Sequence, residues 1–194
     1  MPFDPHLEGV LTWLLIVLAV LAVAGISIYN SLVKLRTQAQ GAWADIDVQL
    51  KRRYDLVPNL VETVKGYAAH EKDTLEAVIN ARNRAMNASG PAERAQAENV
   101  LTGALKSLFA LSEAYPQLRA VESFTSLQNS LSEIEGAVQN ARRYYNAVVR
   151  DYNTKVEQFP SVVVANAFRF QKEEFFEVDE IDQREAPKVS FGDS

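Results

Sequence analysis

The chain contains no cysteine, only two histidines and only eight glycines among its 194 residues. Without thiols it can have neither a disulfide framework nor a cysteine nucleophile, and it is equally compatible with reducing and oxidising compartments. The glycines are scattered singly, so the phosphate-cradling loop of nucleotide-binding proteins is missing. The sequence therefore offers little material for enzymatic chemistry.

The two histidines, His6 and His70, do not form a recognisable metal-binding pattern. His70 and Glu71 begin like a zinc-protease helix, but Thr74 stands where the second histidine is required. A di-iron centre in a helical bundle needs a Glu three residues before a His, and neither histidine has one. His70 also resembles a phosphoacceptor histidine, yet no nucleotide-binding region follows. We therefore predict no cofactor, no metal and no catalytic residue, and we interpret His70 as a cap of the first long helix.

Charge is absent from Gly9 to Val33, a run dominated by Leu, Ile, Val and Ala. About 20 apolar residues cross the hydrocarbon core of a bilayer. A buried core helix is the alternative, but every face of this run is apolar and a core helix would need a larger domain around it. No small-residue cleavage site follows, so we expect a retained transmembrane anchor over residues 9–30, after a short flank at 1–8.

The charges flanking this run differ in sign, since Asp4 and Glu8 precede it while Lys34 and Arg36 follow it. Positively charged flanks tend to stay on the cytoplasmic side. We therefore expect a single-pass membrane protein with its C-terminal domain in the cytoplasm.

After the anchor, apolar residues recur alternately three and four positions apart, as in coiled coils and helical bundles. The clearest such series comprises Leu127, Leu131, Ile134, Val138, Ala141, Tyr145, Val148, Tyr152, Val156 and Phe159. A second runs through Leu32, Leu35, Ala39, Ala42, Ile46, Leu50, Arg53, Leu56, Leu60, Val64 and Tyr67, and a shorter third through Ala97, Leu101, Ala104, Leu108 and Leu111. The pattern predicts an all-α protein without strong strand signals.

Helix breakers divide these series into four helices. Gly90 is expected to stop the second helix and Pro91 to start the third, while Tyr115-Pro116 starts the fourth and a weaker break lies at 69–74. Pro58 is interpreted as a kink because the apolar spacing continues on both sides. Ser161–Val164 is expected to be an extended piece or a short helix. The predicted fold is an antiparallel four-helix bundle over residues 31–168, with two long helices, 29–69 and 117–159, and two short ones.

The two short helices can cover only part of the two long ones. Over the remaining length, the two long helices would contact only each other. Trp43 and the Tyr144-Tyr145 side would then need a neighbour, so a homo-oligomer is expected. The acidic, aromatic-containing tail at 169–194 either tucks against the bundle or docks a basic or aromatic-grooved partner through Phe175 and Phe176.

The stretch from Asp45 to Val61, together with Tyr29–Arg36 before it and Glu62–Glu71 after it, closely resembles the LemA family of bacterial proteins. The resemblance extends from about Tyr29 to the end of the chain. It implies a membrane-anchored helical bundle without an established reaction. Together with the single apolar run, it implies a location in the bacterial inner membrane. Links to membrane proteases, envelope stress and magnetosome membranes are suggested for that family.

The centre of this stretch is densely charged. Its candidate residues for helix register or partner recognition are Trp43, Asp45, Asp47, Lys51, Arg52, Arg53 and Asp55. Arg53 falls on the apolar series, so it needs a carboxylate, which Glu133 or Glu135 could supply and thereby fix helix register. The short basic clusters lie beside acids in a chain of net charge −5, which argues against nucleic acid as a partner.

These observations favour a non-enzymatic, membrane-anchored scaffold or adaptor that self-assembles or docks membrane proteins. The alternative is an accessory or regulatory subunit of a membrane enzyme such as a metalloprotease. The lipid bilayer is the one partner that the composition itself predicts.

Overall fold

The first helix joins the apolar run to the charged stretch without interruption. In the computed structural model, which describes the backbone of residues 5–177 and the side chains of residues 9–177, α1 covers Pro5–Lys65. Pro58 lies inside it, and the helix continues on both sides as predicted. Asp4 and Glu8 of the predicted flank, and the tail beyond residue 177, lie outside the described side chains.

Five further helices follow in the described residues. They are α2 Lys72–Asn87, α3 Gly90–Ala114, α4 Pro116–Arg119, α5 Glu122–Glu157 and α6 Ser161–Ala167. No strand occurs between residues 5 and 177, which confirms the all-α prediction. α1 and α5 are the long helices, while the antiparallel four-helix bundle stays a prediction.

The linker between α2 and α3 shows why glycine is needed there. Gly90 adopts φ +75°, a conformation that residues with a Cβ rarely take. It is the first residue of α3 and does not stop α2, which already ends at Asn87. Pro91 lies in the first turn of α3, as predicted.

Three other details correct the sequence prediction. His70 lies in the turn after α1, five residues beyond Lys65, so it does not cap that helix. The predicted fourth helix is divided into α4 and α5 by a turn in which the Val121 N–H donates to the Leu118 carbonyl. Phe159 follows the end of α5 and is exposed, so it does not continue the apolar series.

Within the described chain, α1 is the one helix long and apolar enough to cross a membrane. None of its most apolar window is buried. The exposed side chains of this window include Val10, Leu14, Val17, Leu18, Leu21 and Ile26. This exposure rules out the alternative that the run is a buried core helix of the folded chain.

The described chain divides into two units. The first comprises residues 5–47 and Asn140–Glu173, and the second comprises Val48–Gln139 and residues 174–177. Each unit has a core of its own.

The core of the first unit forms where α5 and α6 pack on α1. It contains the buried residues Leu32, Tyr152, Val156 and Ala165, against which Ile28, Leu35, Val164 and Phe170 pack. Tyr29 extends this core, because its ring lies 4.8 Å from that of Phe168 and 5.7 Å from that of Phe170.

The core of the second unit confirms the predicted apolar series only in part, since Leu56 is half-buried and Tyr67 is exposed. Its fully buried side chains include Leu50, Val57, Leu60, Val64, Leu101, Leu108, Leu118 and Phe124. Phe109 of α3 meets Phe124 of α5 edge to face at 6.2 Å, an arrangement that aromatic pairs favour.

The segment after α6, residues 171–173, runs along α5 and is held there by hydrogen bonds. The Asn153 side chain both donates to the Glu173 carbonyl and accepts from the Glu173 N–H, each at 2.9 Å. The Tyr152 hydroxyl donates to the Gln171 carbonyl at 2.8 Å. Lys172 adds an exposed ion pair with Glu157 at 2.7 Å.

We predict that Asn153→Ala loosens this segment. Both backbone groups of Glu173 lose their partner, and each such bond contributes about 0.5 to 1.5 kcal/mol. Hydrogen exchange at the Glu173 amide should therefore accelerate. Lys172→Ala is the control, because an exposed ion pair contributes about 0 to 1 kcal/mol. Equal exchange in the two variants would show that Asn153 does not hold the segment.

Candidate functional site

Arg53 is the centre of a buried polar cluster in the second unit. Its exposed fraction is 4%, although it carries a full charge. Nη1 donates to Glu98 Oε2 at 2.8 Å, and Nη2 donates to the Thr102 hydroxyl at 2.9 Å. Nη2 also lies 2.9 Å from Glu135 Oε2, close enough for an ion pair but without hydrogen-bond alignment. A guanidinium on α1 thus holds groups from both α3 and α5.

Glu135 is one of the two carboxylates that the sequence offered to Arg53, whereas Glu98 was missed. Glu98 is 3% exposed, as buried as the leucines of α3 that face the core. Its buried neighbours on α3 are Leu101, Leu105 and Leu108. The spacing 98, 101, 105, 108 alternates three and four, so the apolar series on α3 contained an acidic position. The predicted series began at Ala97, the residue before Glu98, so it did not select Glu98.

Tyr54 and Arg82 complete the cluster. The Tyr54 hydroxyl donates to Glu98 Oε1. Arg82 Nε on α2 donates to the Tyr54 backbone carbonyl at 2.7 Å. That carbonyl lies inside α1, one turn before Pro58, whose missing N–H leaves it without its usual helical donor. The proline and the Arg82 contact therefore belong to the same arrangement.

The Arg53 guanidinium faces two carboxylates in this cluster, those of Glu98 and Glu135. Burial raises the pKa of Glu98 above its usual value, and the attraction of Arg53 only partly offsets this. Glu135 raises the pKa of Glu98 further. Burial and the neighbouring Glu98 also raise the pKa of Tyr54, which keeps its hydroxyl protonated as a donor.

We predict that the stability of Glu98→Gln relative to the parent increases as the pH rises from 4 toward 7. The raised pKa of Glu98 means that the folded state binds the proton more tightly than the unfolded state. The contribution of Glu98 to stability is therefore fully present below its usual pKa of 4.5 and is lost as the pH rises through the raised value. Gln mimics the neutral, protonated form, so the stability of the parent should fall relative to that of the variant between pH 4 and pH 7. Denaturant unfolding across that range measures the difference, and a parent that gains on the variant as the pH rises would contradict the assignment.

The other charged residues of the predicted surface do not join this cluster. Asp45 and Asp47 in the first unit are exposed, as are Lys51, Arg52 and Asp55 in the second. Arg52 Nη1 donates to Gln49 one turn earlier at 3.1 Å. Arg53 thus points into the fold while its charged neighbours on α1 face outward.

Trp43 is partly covered within the chain. Its ring lies 5.4 Å from that of Tyr145, which is buried on α5 in the first unit. Tyr145 thus covers part of the Trp43 ring within the chain, and the homo-oligomer stays a prediction. Tyr144, the next residue, remains exposed.

The two tail phenylalanines differ in exposure. Phe176 is fully buried in the second unit, and Phe175 is half-buried. Phe176 could reach a partner only by leaving its place in the fold. Tucking against the helices therefore describes the tail through residue 177, and docking through these residues stays a prediction.

The cluster is suited to holding helices together and poorly suited to chemistry. Its charged groups are buried against one another, and the Arg53 Nε and Glu135 Oε2 atoms are buried without a hydrogen-bond partner. Among the side chains of residues 9–177, no group of three or more His, Asp or Glu residues is arranged to hold a metal ion. What the arrangement can do is fix the register of α1, α3 and α5, since a misplaced helix would leave buried charges uncompensated.

Most of the chain is similar to known proteins. A model of the LemA family matches residues 42–191, which include α1 from Ala42 onward and all later helices. The chain is 25% identical to Protein LemA of Metamycoplasma hominis over 158 residues, covering 79% of this chain and 71% of that protein.

Two magnetosome proteins are similar at the same level. Magnetosome protein MamQ 2 of Paramagnetospirillum magneticum is 25% identical over 175 residues, and Magnetosome protein MamQ of Magnetospirillum gryphiswaldense is 24% identical over 174 residues. These matches cover 77% and 76% of this chain. The chain spans 64% of the length of each of these two relatives.

Proposed function

Because the chain belongs to the LemA family, we propose that it is a membrane-anchored, non-enzymatic helical scaffold or adaptor that assembles with itself, with other membrane proteins, or with both. One observation carries this proposal. The same uninterrupted helix, α1, bears a fully exposed apolar window near its start and the buried Arg53 further along. A helix with these two features can fix a folded domain to a bilayer.

The length of the exposed run supports an anchor. Residues 9–30 would extend about 33 Å at 1.5 Å per residue, which matches a hydrocarbon core of about 30 Å. Trp13 and Tyr29 lie near its two ends, where aromatic side chains prefer the membrane interface. Lys34 and Arg36 follow, which favours a cytoplasmic C-terminal domain.

The orientation has a direct test. A C-terminal tag should resist protease added to intact spheroplasts and should be cleaved only after lysis. Trimming of the tag in intact spheroplasts would place the domain on the opposite side of the membrane.

The site supports assembly in preference to catalysis. The buried Arg53 contacts Glu98, Thr102 and Glu135 inside the second unit and connects the helices that carry them. Lys51, Arg52 and Asp55 in the same unit are exposed on α1 and are available for a partner. An accessory role beside a membrane enzyme such as a metalloprotease would use the same surface.

Purification of the full chain from membranes at native abundance, followed by quantitative mass spectrometry, separates these roles. A scaffold is expected to recover mainly further copies of itself or several membrane proteins. One enzyme recovered in fixed stoichiometry would favour the accessory role. A triple variant with Lys51→Ala, Arg52→Ala and Asp55→Ala should lose the partner while folding normally.

A further inference from the structure

The end of the first unit formed by residues 158–170 presents an exposed apolar surface, called here the α6 tip. Three of its large side chains are mostly exposed: Phe159 by 78%, Val163 by 60% and Phe168 by 62%. These three residues lie close together in the chain. Other residues of the tip, Val164, Ala165 and Phe170, pack on α1. Exposed apolar side chains concentrated in so short a segment indicate an interaction surface for a protein or a membrane.

The position of the tip along α1 identifies what covers it. Phe168 packs on Tyr29 at 4.8 Å, and Tyr29 lies at the end of the exposed apolar run. Ile28, one residue earlier, packs against the core that contains Ala165 of α6. The tip is therefore level with the last turn of the run, and a bilayer that surrounds the run ends beside it.

The charges around the tip fit an anionic membrane surface. Residues 158–170 contain no acid and one base, Arg169, and residues 27–36 contain no acid and two bases, Lys34 and Arg36. The nearest acid before the tip, Glu157, is paired with Lys172 at 2.7 Å, and the nearest acids after it are Glu173 and Glu174. Cations next to an apolar surface strengthen binding to anionic headgroups.

Arg169 provides an independent observation. It follows α6 with φ +57°, a left-handed conformation in which glycine is normally found. The helix end has the corresponding hydrogen bonds, from the Phe170 N–H to the Ala165 carbonyl at 2.9 Å and from the Arg169 N–H to the Asn166 carbonyl at 3.3 Å. An exposed arginine between two phenylalanines thus occupies a position where the backbone favours glycine.

We propose that the α6 tip is a second membrane contact, in which Phe159, Val163 and Phe168 enter the interfacial layer of the bilayer beside the anchor and Arg169 binds lipid phosphate. This inference rests on the anchor proposed above. Its consequence is that the first unit is held against the membrane at two points, so the start of the domain cannot swing freely about the anchor.

The absence of cysteine makes the test straightforward, because single-cysteine variants can be spin-labelled without a background. Full-length chains with Val163→Cys or Phe168→Cys would be placed in bilayer discs containing phosphatidylglycerol. For each variant, the collision rate of the spin label with oxygen, which concentrates in lipid, is compared with its collision rate with a water-soluble nickel chelate. Val20→Cys in the apolar run is the membrane control. Val48→Cys, exposed on α1 and outside the apolar run, is the aqueous control.

Labels at 163 and 168 should give an oxygen-to-nickel collision ratio several-fold above that at 48 and below that at 20. Arg169→Gln should reduce the ratio at 163 in anionic discs and leave it unchanged in zwitterionic ones. A ratio at 163 and 168 equal to that at 48 would overturn the proposal. Low collision with both reagents would also overturn it, by showing that protein covers the tip. If the label at position 20 gives a water-like collision ratio, the anchor is wrong and this inference fails with it. If position 20 gives a membrane-like ratio while positions 163 and 168 do not, only the membrane contact of the α6 tip is wrong.

Discussion

Arg53→Ala is expected to lower the free energy of unfolding by about 3 to 5 kcal/mol, the range found when one partner of a buried ion pair is removed. Glu98 and Glu135 would be left facing each other, and the Thr102 hydroxyl would lose its donor. Because the pKa of Glu98 is already raised, the vacated carboxyl can take up a proton at low pH. The loss should therefore be larger at pH 7 than at pH 5. Thermal and denaturant unfolding of the full chain in detergent, followed by circular dichroism, measures both values.

Arg52→Ala is the matched control, since it removes the same side chain from the adjacent, exposed position on α1. Its effect should stay within about 0.5 kcal/mol. Arg53→Lys should recover only part of the loss, because an ammonium group cannot contact Glu98 and Thr102 with the fixed geometry of a guanidinium. If Arg53→Ala and Arg52→Ala unfold alike, the cluster does not hold the second unit together.

Charges placed in the apolar run should release the chain from the membrane. Leu18→Arg and Leu21→Arg lie near the middle of residues 9–30, where each arginine costs about 2.5 to 3.5 kcal/mol on insertion. The double variant is expected to shift from the membrane fraction to the soluble or aggregated fraction. Fractionation with a carbonate wash and immunodetection provides the measurement.

The control is the double variant Leu18→Ala and Leu21→Ala, which shortens the same side chains without adding charge. It should remain in the washed membranes. An arginine variant that also stays there would show that the exposed run does not insert.

The sequence was most informative where apolar periodicity was long. The series through Leu50, Leu60 and Val64 predicted buried positions of α1, and that from Leu131 to Tyr152 did so for α5. Such series are set by helix geometry alone, so no knowledge of the neighbouring helix is needed. The same periodicity indicated that Arg53 is buried and therefore paired.

The partners of Arg53 could be predicted only in part. Glu135 was among the candidates because α5 has a strong series, whereas Glu98 lies on α3, where small alanines made two alternative faces look similar. Ala104 and Leu111 were expected in the core but are half-buried, while Leu105 is buried. Which face of α3 turns inward depends on packing against α1 and α2, and that information is not local.

The exposed tip of the first unit could not be predicted at all. Phe159 continued the spacing of the α5 series, yet α5 ends at Glu157 and the chain turns into α6. The apolar residues 162–164 looked equally suited to a strand, because β-branched residues favour extended backbone. Packing against Leu32 and Tyr152 decides in favour of a helix.

The central claim is that this chain is a membrane-anchored protein that assembles with itself or with other membrane proteins. Native mass spectrometry tests this claim most directly. The complexes are extracted from native membranes in lipid discs and are then released in the spectrometer. The account predicts masses above the 21.6 kDa of the chain, either by whole multiples of that value or by the mass of another membrane protein. The triple variant at Lys51, Arg52 and Asp55 should shift the distribution toward the single chain. A parent protein that leaves the discs only as a 21.6 kDa monomer would contradict the claim.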